Sequence, residues 1–241
     1  MPHGQRAWSN VGADEVVHGL ADMAELAARL GSPVTYNREG NVLFLSDFSE
    51  GDSQFELKPV GTGAEIIISA AESIVGPYAA KVTTSAVTDQ VSTIAASVPV
   101  PDVATRVGLS AAVLWLLNEI GWQLEIGAYI GSQVYIGTLR YRSDLDRLDV
   151  RTTAWQTLAS GLVLYANTAS WHRAKVVLDL ARGTYVRAMV DDQEYAVMAP
   201  LLVLPTAEPR RIDVRLQAYT RDGVSRVVYF DDIIVTHGEP A

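Results

Sequence analysis

From Val34 onward the chain is cut into short apolar runs whose side chains alternate, and this two-residue period constrains the fold more than any other feature. Trp122, Leu124, Ile126, Ala128 and Ile130 alternate with Gln123, Glu125, Gly127 and Tyr129. That is the pattern of a strand with one face toward a core. Further strand-length runs cover 42–45, 64–69, 78–84, 107–117, 134–141, 148–153, 174–180, 185–190, 212–219 and 227–235. The run from Val107 to Leu117 is apolar almost throughout, as a central strand covered on both faces would be. Gly131-Ser132, Arg182-Gly183 and Asp191-Asp192 stand between runs as turn signals, and Pro99, Pro101, Pro200, Pro205 and Pro209 fall in connections. Strands recurring roughly every 8–12 residues with such punctuation read as an all-β antiparallel β-sandwich.

The leading segment differs. Val16, Leu20, Met23, Ala27 and Leu30 form one helical stripe behind Asp14 as N-cap, with Gly31 and Pro33 as stop signals. Gly19 inside it costs about 1 kcal/mol relative to Ala, so the helix needs packing. The residues before Asp14 read as an extended arm carrying Trp8. The expected organisation is an arm and amphipathic helix over 1–41 and a sandwich over 42–241. The stripe either packs on the chain's own sheet or docks on a partner. In the second reading Trp8, Val16, Leu20 and Met23 are assembly residues, and burying Trp8 in a neighbour is worth about 2–3 kcal/mol.

Composition excludes several classes. The chain has 28 acidic against 19 basic residues, a net charge of −9, and no cysteine. Disulfide scaffolds, thiolate zinc sites and thiol catalysis are ruled out. The charge argues against nucleic acid and anionic membranes as partners. No apolar leader or membrane-length run is present. His3, His18, His172 and His237 lie far apart, without ligand spacing. Among aromatics, Trp115 and Trp122 read as core. Trp155 and Tyr165 flank a loop and are the candidate pair for stacking on a ligand.

Three stretches resemble known sandwiches. Leu45-Ser46-Asp47-Phe48-Ser49-Glu50-Gly51 is similar to the opening of jelly-roll carbohydrate-binding domains. Trp171 to Leu180 followed by Tyr185 to Tyr195 resembles a hairpin of laminin G-like and concanavalin A-like sandwiches, and Val228 to Thr236 resembles their last strand. The resemblance implies a jelly roll. It also implies a structural Ca²⁺, whose ligands here would be Asp47, Glu50 or Asp52, and Asp231 or Asp232, with Asp47, Asp52 and Asp232 the chosen set. The hydrolases of this fold carry an E-x-D-x-E strand, which is lacking. Asp144, Asp146 and Asp149 come nearest, with a spacing that reads as a solvated loop. No nucleophile elbow is present either.

The order of helix, Val-Thr-Tyr strand and jelly roll also looks like that of bacteriophage structural proteins. The expectation drawn from this is a non-enzymatic virion component, a capsid decoration or tail-associated protein. It would act through homo-oligomer, capsid or tail contacts, and it requires no cofactor. The alternative is a lectin-like module with a glycan partner, in the cytoplasm rather than the virion. A hydrolase is the third reading.

Overall fold

The computed structural model describes residues 40–101, 105–167 and 170–240. The expected helix and arm, with Trp8, Val16, Leu20 and Met23, lie outside the described residues. Strands are numbered in chain order. Sheet A runs β13 (Gln193–Ala196), β12 (Thr184–Val190), β11 (His172–Asp179), β6 (Arg106–Trp115), β16 (Val227–His237), β4 (Ala79–Thr83) and β3 (Glu65–Ser69), with β1 (Asn41–Ser46) also paired to β16. Sheet B runs β10 (Trp155–Ser160), β9 (Arg147–Arg151), β8 (Gln133–Arg142), β7 (Ile120–Ile130), β15 (Arg211–Thr220), β5 (Ser92–Val98) and β2 (Glu56–Lys58), with β14 (Leu202–Pro205) also on β8. Every strand pair among the described residues is antiparallel. The all-β antiparallel sandwich expected from the alternation is present.

The core lies between the sheets. Val107, Leu109, Val113 and Trp115 on β6 meet Trp122, Leu124 and Ile126 on β7, all fully buried. At about 25 cal/mol per Å² of apolar surface, each such side chain contributes roughly 1.5–3 kcal/mol. Trp115 anchors an aromatic group, with ring centroids 6.4 Å from Trp122, 5.6 Å from Tyr141 and 5.0 Å from His172. Both core tryptophans are therefore where their apolar runs place them. The sheets approach closely at Gly137, where a Cβ would lie 2.3 Å from Leu178 Cδ2.

Turn chemistry holds the register. Gly131 (φ 62°) and Gly183 (φ 65°) occupy left-handed positions between β7 and β8 and between β11 and β12, as their turn signals predict. β16 carries a bulge between Asp231 and Ile234, with Asp232 at φ 49°. Five strands escape the periodicity reading: β2, β5, β10, β13 and β14. In β5 the core face is Ile94, Ala96 and Val98, separated by Thr93, Ala95 and Ser97. Small residues leave such a strand little hydrophobic signal. β10 and β14 are short and half-exposed.

Candidate functional site

The side of sheet B turned away from the core is polar, and it follows directly from strand alternation. On β7 the positions between the core residues are Gln123, Glu125, Gly127 and Tyr129. Opposite them on β15 stand Gln217, Arg215, Asp213 and Arg211. β8 adds Thr138 and Arg140, β9 adds Arg147, Asp149 and Arg151, and β10 adds Trp155 and Thr157. A half-buried strand would leave this side wet. Instead Gln123, Glu125 and Thr138 are buried and Asp149 is fully so, because long arginine side chains lie across them.

Each of three carboxylates on this face is matched. Glu125 receives Arg215 Nη1 at 2.6 Å and the Thr138 hydroxyl at 3.2 Å. Asp149 receives Arg140 Nη2 at 2.7 Å, Arg147 Nε at 2.9 Å and the Thr157 hydroxyl at 3.0 Å. Asp213 receives Arg211 Nε at 2.8 Å and the Ser97 hydroxyl at 2.7 Å. Burial works to lower the Arg215 pKa, but Glu125 more than offsets it and the guanidinium stands above its ordinary value. Guanidinium groups also cover the aromatic rings. Arg140 sits 3.5 Å from the Trp155 ring centroid, and Arg211 sits 4.3 Å from that of Tyr129.

Between β2, β5, β15 and the end of β7 this face opens into a groove of about 510 Å³. Ala95, Ser97 and Asp213 form its floor, and Tyr129, Arg211 and Arg215 stand along one side. Glu56 and Lys58, an ion pair at 2.8 Å, stand along the other. At the opposite end of the strands the Tyr219 ring lies over Gly121, where a Cβ would come within 2.1 Å of it. Burial raises the Tyr219 hydroxyl pKa while Arg140, Arg142 and Arg221 pull it back.

The positions singled out from sequence fare unevenly. Trp155 belongs to this face, half-buried beneath Arg140. Tyr165 is 69% exposed, and its carbonyl bonds His172 on sheet A at 3.1 Å. The Trp155 ring is thus covered by Arg140, whereas Tyr165 stays open to solvent. Asp149, expected in a solvated loop with Asp144 and Asp146, is a buried strand residue, because β9 begins at Arg147 and points it under two arginines.

The residues expected to hold calcium make contacts of their own. No cluster of three acidic or histidine side chains able to hold a metal ion occurs among the described residues. Asp47 caps its own turn through Ser49 (N at 3.0 Å, Oγ at 2.6 Å), and Asp232 pairs with Arg173. Asp231 accepts the backbone N–H groups of Ile74 at 2.8 Å, Val75 at 3.1 Å and Asp232 at 2.7 Å. Those donors surround it with positive charge, which repels a cation.

Sequence reasoning missed the arginines, although a signal was present. β9 reads Arg147-Leu148-Asp149-Val150-Arg151 and β15 reads Arg211-Ile212-Asp213-Val214-Arg215. Each places Arg, Asp, Arg on one strand face with apolar residues on the other. The same five-residue charge pattern thus appears on two strands of one sheet, with these side chains turned to the same face.

No family model and no curated protein matches the chain. Solved structures do. A protein of unknown function with a galectin-like fold from Bacillus subtilis is 10% identical, with a TM-score of 0.54 over 85% of this chain and 99% of that one. An endo-β-1,4-glucuronan lyase from the fungus Trichoderma reesei is 12% identical, with a TM-score of 0.53 over 82% and 96%. A carbohydrate esterase from the Shiga toxin-encoding bacteriophage phi24B is 13% identical, with a TM-score of 0.52 over 82% and 99%. At these identities the likeness is one of fold: a jelly-roll sandwich of the kind found in carbohydrate-binding and carbohydrate-active proteins. No helix among the described residues is long and apolar enough to cross a membrane.

Proposed function

We propose that this protein is a non-enzymatic, lectin-like carbohydrate-binding module and that the outer face of sheet B is its binding surface. The observation carrying this reading is the groove beside Tyr129, Arg211 and Asp213. There, planar hydrogen-bonding groups are held in place by ion pairs on a rigid sheet. Sugar hydroxyls need donors and acceptors in fixed geometry. Side chains already immobilised lose little entropy on binding. The jelly-roll neighbours, carbohydrate-active proteins among them, support a glycan ligand over a virion structural role.

The non-enzymatic part rests on the carboxylates. Glycoside hydrolysis needs one carboxyl group to donate a proton and another to attack or activate water. On this face Glu125, Asp149 and Asp213 are each engaged by guanidinium and hydroxyl donors, which favours fixed acceptors over proton shuttles.

The test is affinity electrophoresis of the full chain in gels containing neutral and acidic polysaccharides. The native protein should be retarded by at least one polymer. The double variant Tyr129→Ala, Arg211→Ala should lose most of that retardation while its thermal transition stays cooperative. Absence of retardation by every polymer would reject the glycan reading, and release of reducing sugar over time would reject the non-enzymatic part.

A further inference from the structure

We infer that the ligand is an acidic glycan, one whose sugar rings carry carboxylates, lying across the outer face of sheet B from the groove to the Trp155 end, where those carboxylates are held. This rests on the glycan reading above and narrows it to a ligand class. Two features of the face point this way. The first is what covers its aromatic rings. A neutral pyranose is held by stacking its C–H face on an open aromatic ring. Here the Trp155 ring carries the Arg140 guanidinium 3.5 Å from its centroid and the Tyr129 ring carries that of Arg211 at 4.3 Å. Stacking energy at both rings is already taken up by a cation, and what they offer a ligand is the hydrogen-bonding edge of an arginine.

The second is charge. Arg140, Arg147 and Arg151 stand together on β8 and β9 with one carboxylate among them, Asp149. That carboxylate is bonded by Arg140 at 2.7 Å and by Arg147 at 2.9 Å. Arg151 lies opposite Trp155 in the strand register, with its guanidinium 5.7 Å from the ring centroid. It forms no ion pair among the described residues and is exposed. The neighbouring charged pair, Arg215 and Glu125, is balanced. This corner of a chain with net charge −9 therefore carries positive charge in excess. A planar guanidinium with open N–H groups matches a carboxylate two bonds at a time. Arg140, stacked on Trp155 and tied to Asp149, supplies a rigid base. Arg151 and the outer edge of Arg147 supply the open donors.

The experiment compares binding of the full chain to polygalacturonate and to the same polymer after its carboxyl groups are reduced to alcohols, with polyacrylate as a sugar-free polyanion. The inference expects binding to polygalacturonate, about tenfold or greater loss on carboxyl reduction, and a similar loss for Arg151→Ala, the range set by removing a charge-assisted hydrogen bond. Arg151 is exposed and unpaired, so its removal leaves the fold intact. A second variant, Arg147→Gln, should weaken binding in the same direction. Equal binding of native and reduced polymer would overturn the acidic-ligand inference while leaving a glycan-binding protein. Equal binding of polyacrylate would overturn it by reducing the interaction to simple ion exchange. Failure to bind these polymers while retarded by a neutral one would overturn it too, and retardation by none would remove the glycan reading beneath it.

Discussion

Asp231 is a buried carboxyl held well away from its ordinary charge state. Burial raises its pKa from 3.8 to about 7, even though three backbone N–H groups donate to it and favour the charged form. The folded protein therefore holds a proton that the unfolded chain has released between those two values. Stability attributable to Asp231 is complete below pH 3.8, falls as pH rises toward 7, and is flat above. His172 acts in the same direction. Burial works to lower its pKa, but the Asp191 carboxylate 2.8 Å away more than offsets this and holds it above 6.5. Its contribution is fully present below 6.5 and is lost as pH rises through the higher folded value. Urea unfolding measured across this range should show the native protein losing stability toward neutral pH. Asp231→Asn should flatten the part below pH 7, and Asp191→Asn the part around and above 6.5. Unchanged slopes in both variants would contradict these assignments. Neither effect was legible in the sequence. The resemblance offered Asp231 or Asp232 as a cation ligand, while the loop amides that occupy Asp231 come from more than 150 residues away in the chain.

Among the strands, β8 carries the most demanding constraints, because it must suit a core on one side and an ion lattice on the other. Gly137 faces the core at the point where Leu178 from β11 comes closest, so a larger side chain forces the sheets apart. Gly137→Val should cost about 1–3 kcal/mol or more, as overpacked cores do. Gly131→Ala, in open space but at φ 62°, should cost about 1 kcal/mol of backbone strain. Denaturant midpoints would rank the two, and the reverse order would show that the sheets can separate locally. On the other side, Asp149→Ala removes the acceptor shared by Arg140 and Arg147. It should destabilise by about 3 kcal/mol, because Arg140 is left nearly buried without its partner. Asp149→Asn, which keeps one acceptor oxygen, should cost less. A cost for Asp149→Ala within error of zero would mean that the guanidinium groups swing out to water.

For the sandwich as a unit, the division of labour is between two sides of one sheet. Aliphatic and aromatic residues on the inner side supply stability, and matched charges on the outer side supply a rigid polar surface at little net energetic gain. Binding through that surface should weaken as salt is raised, since open arginine donors attract an anionic partner through screened interactions. Titration with polygalacturonate at rising sodium chloride would show this, and salt-independent affinity would speak for a neutral ligand held by hydroxyl contacts.

Alternation, one continuous apolar run and the turn glycines were enough to establish an antiparallel sandwich, its central strand β6, its buried tryptophans and the hairpin turns at Gly131 and Gly183, because these depend on neighbours in the chain. The strands β2, β5, β10, β13 and β14 lacked that local signal, Ala and Ser giving no hydrophobic period in β5 and short edges giving no length in the others. The polar face was written in the sequence as two Arg-x-Asp-x-Arg strands. Reading it needed the knowledge that β9 and β15 lie in one sheet and turn these side chains to the same face. Pairing between distant strands settles that, and a period of two along one strand carries no information about which other strand will lie beside it.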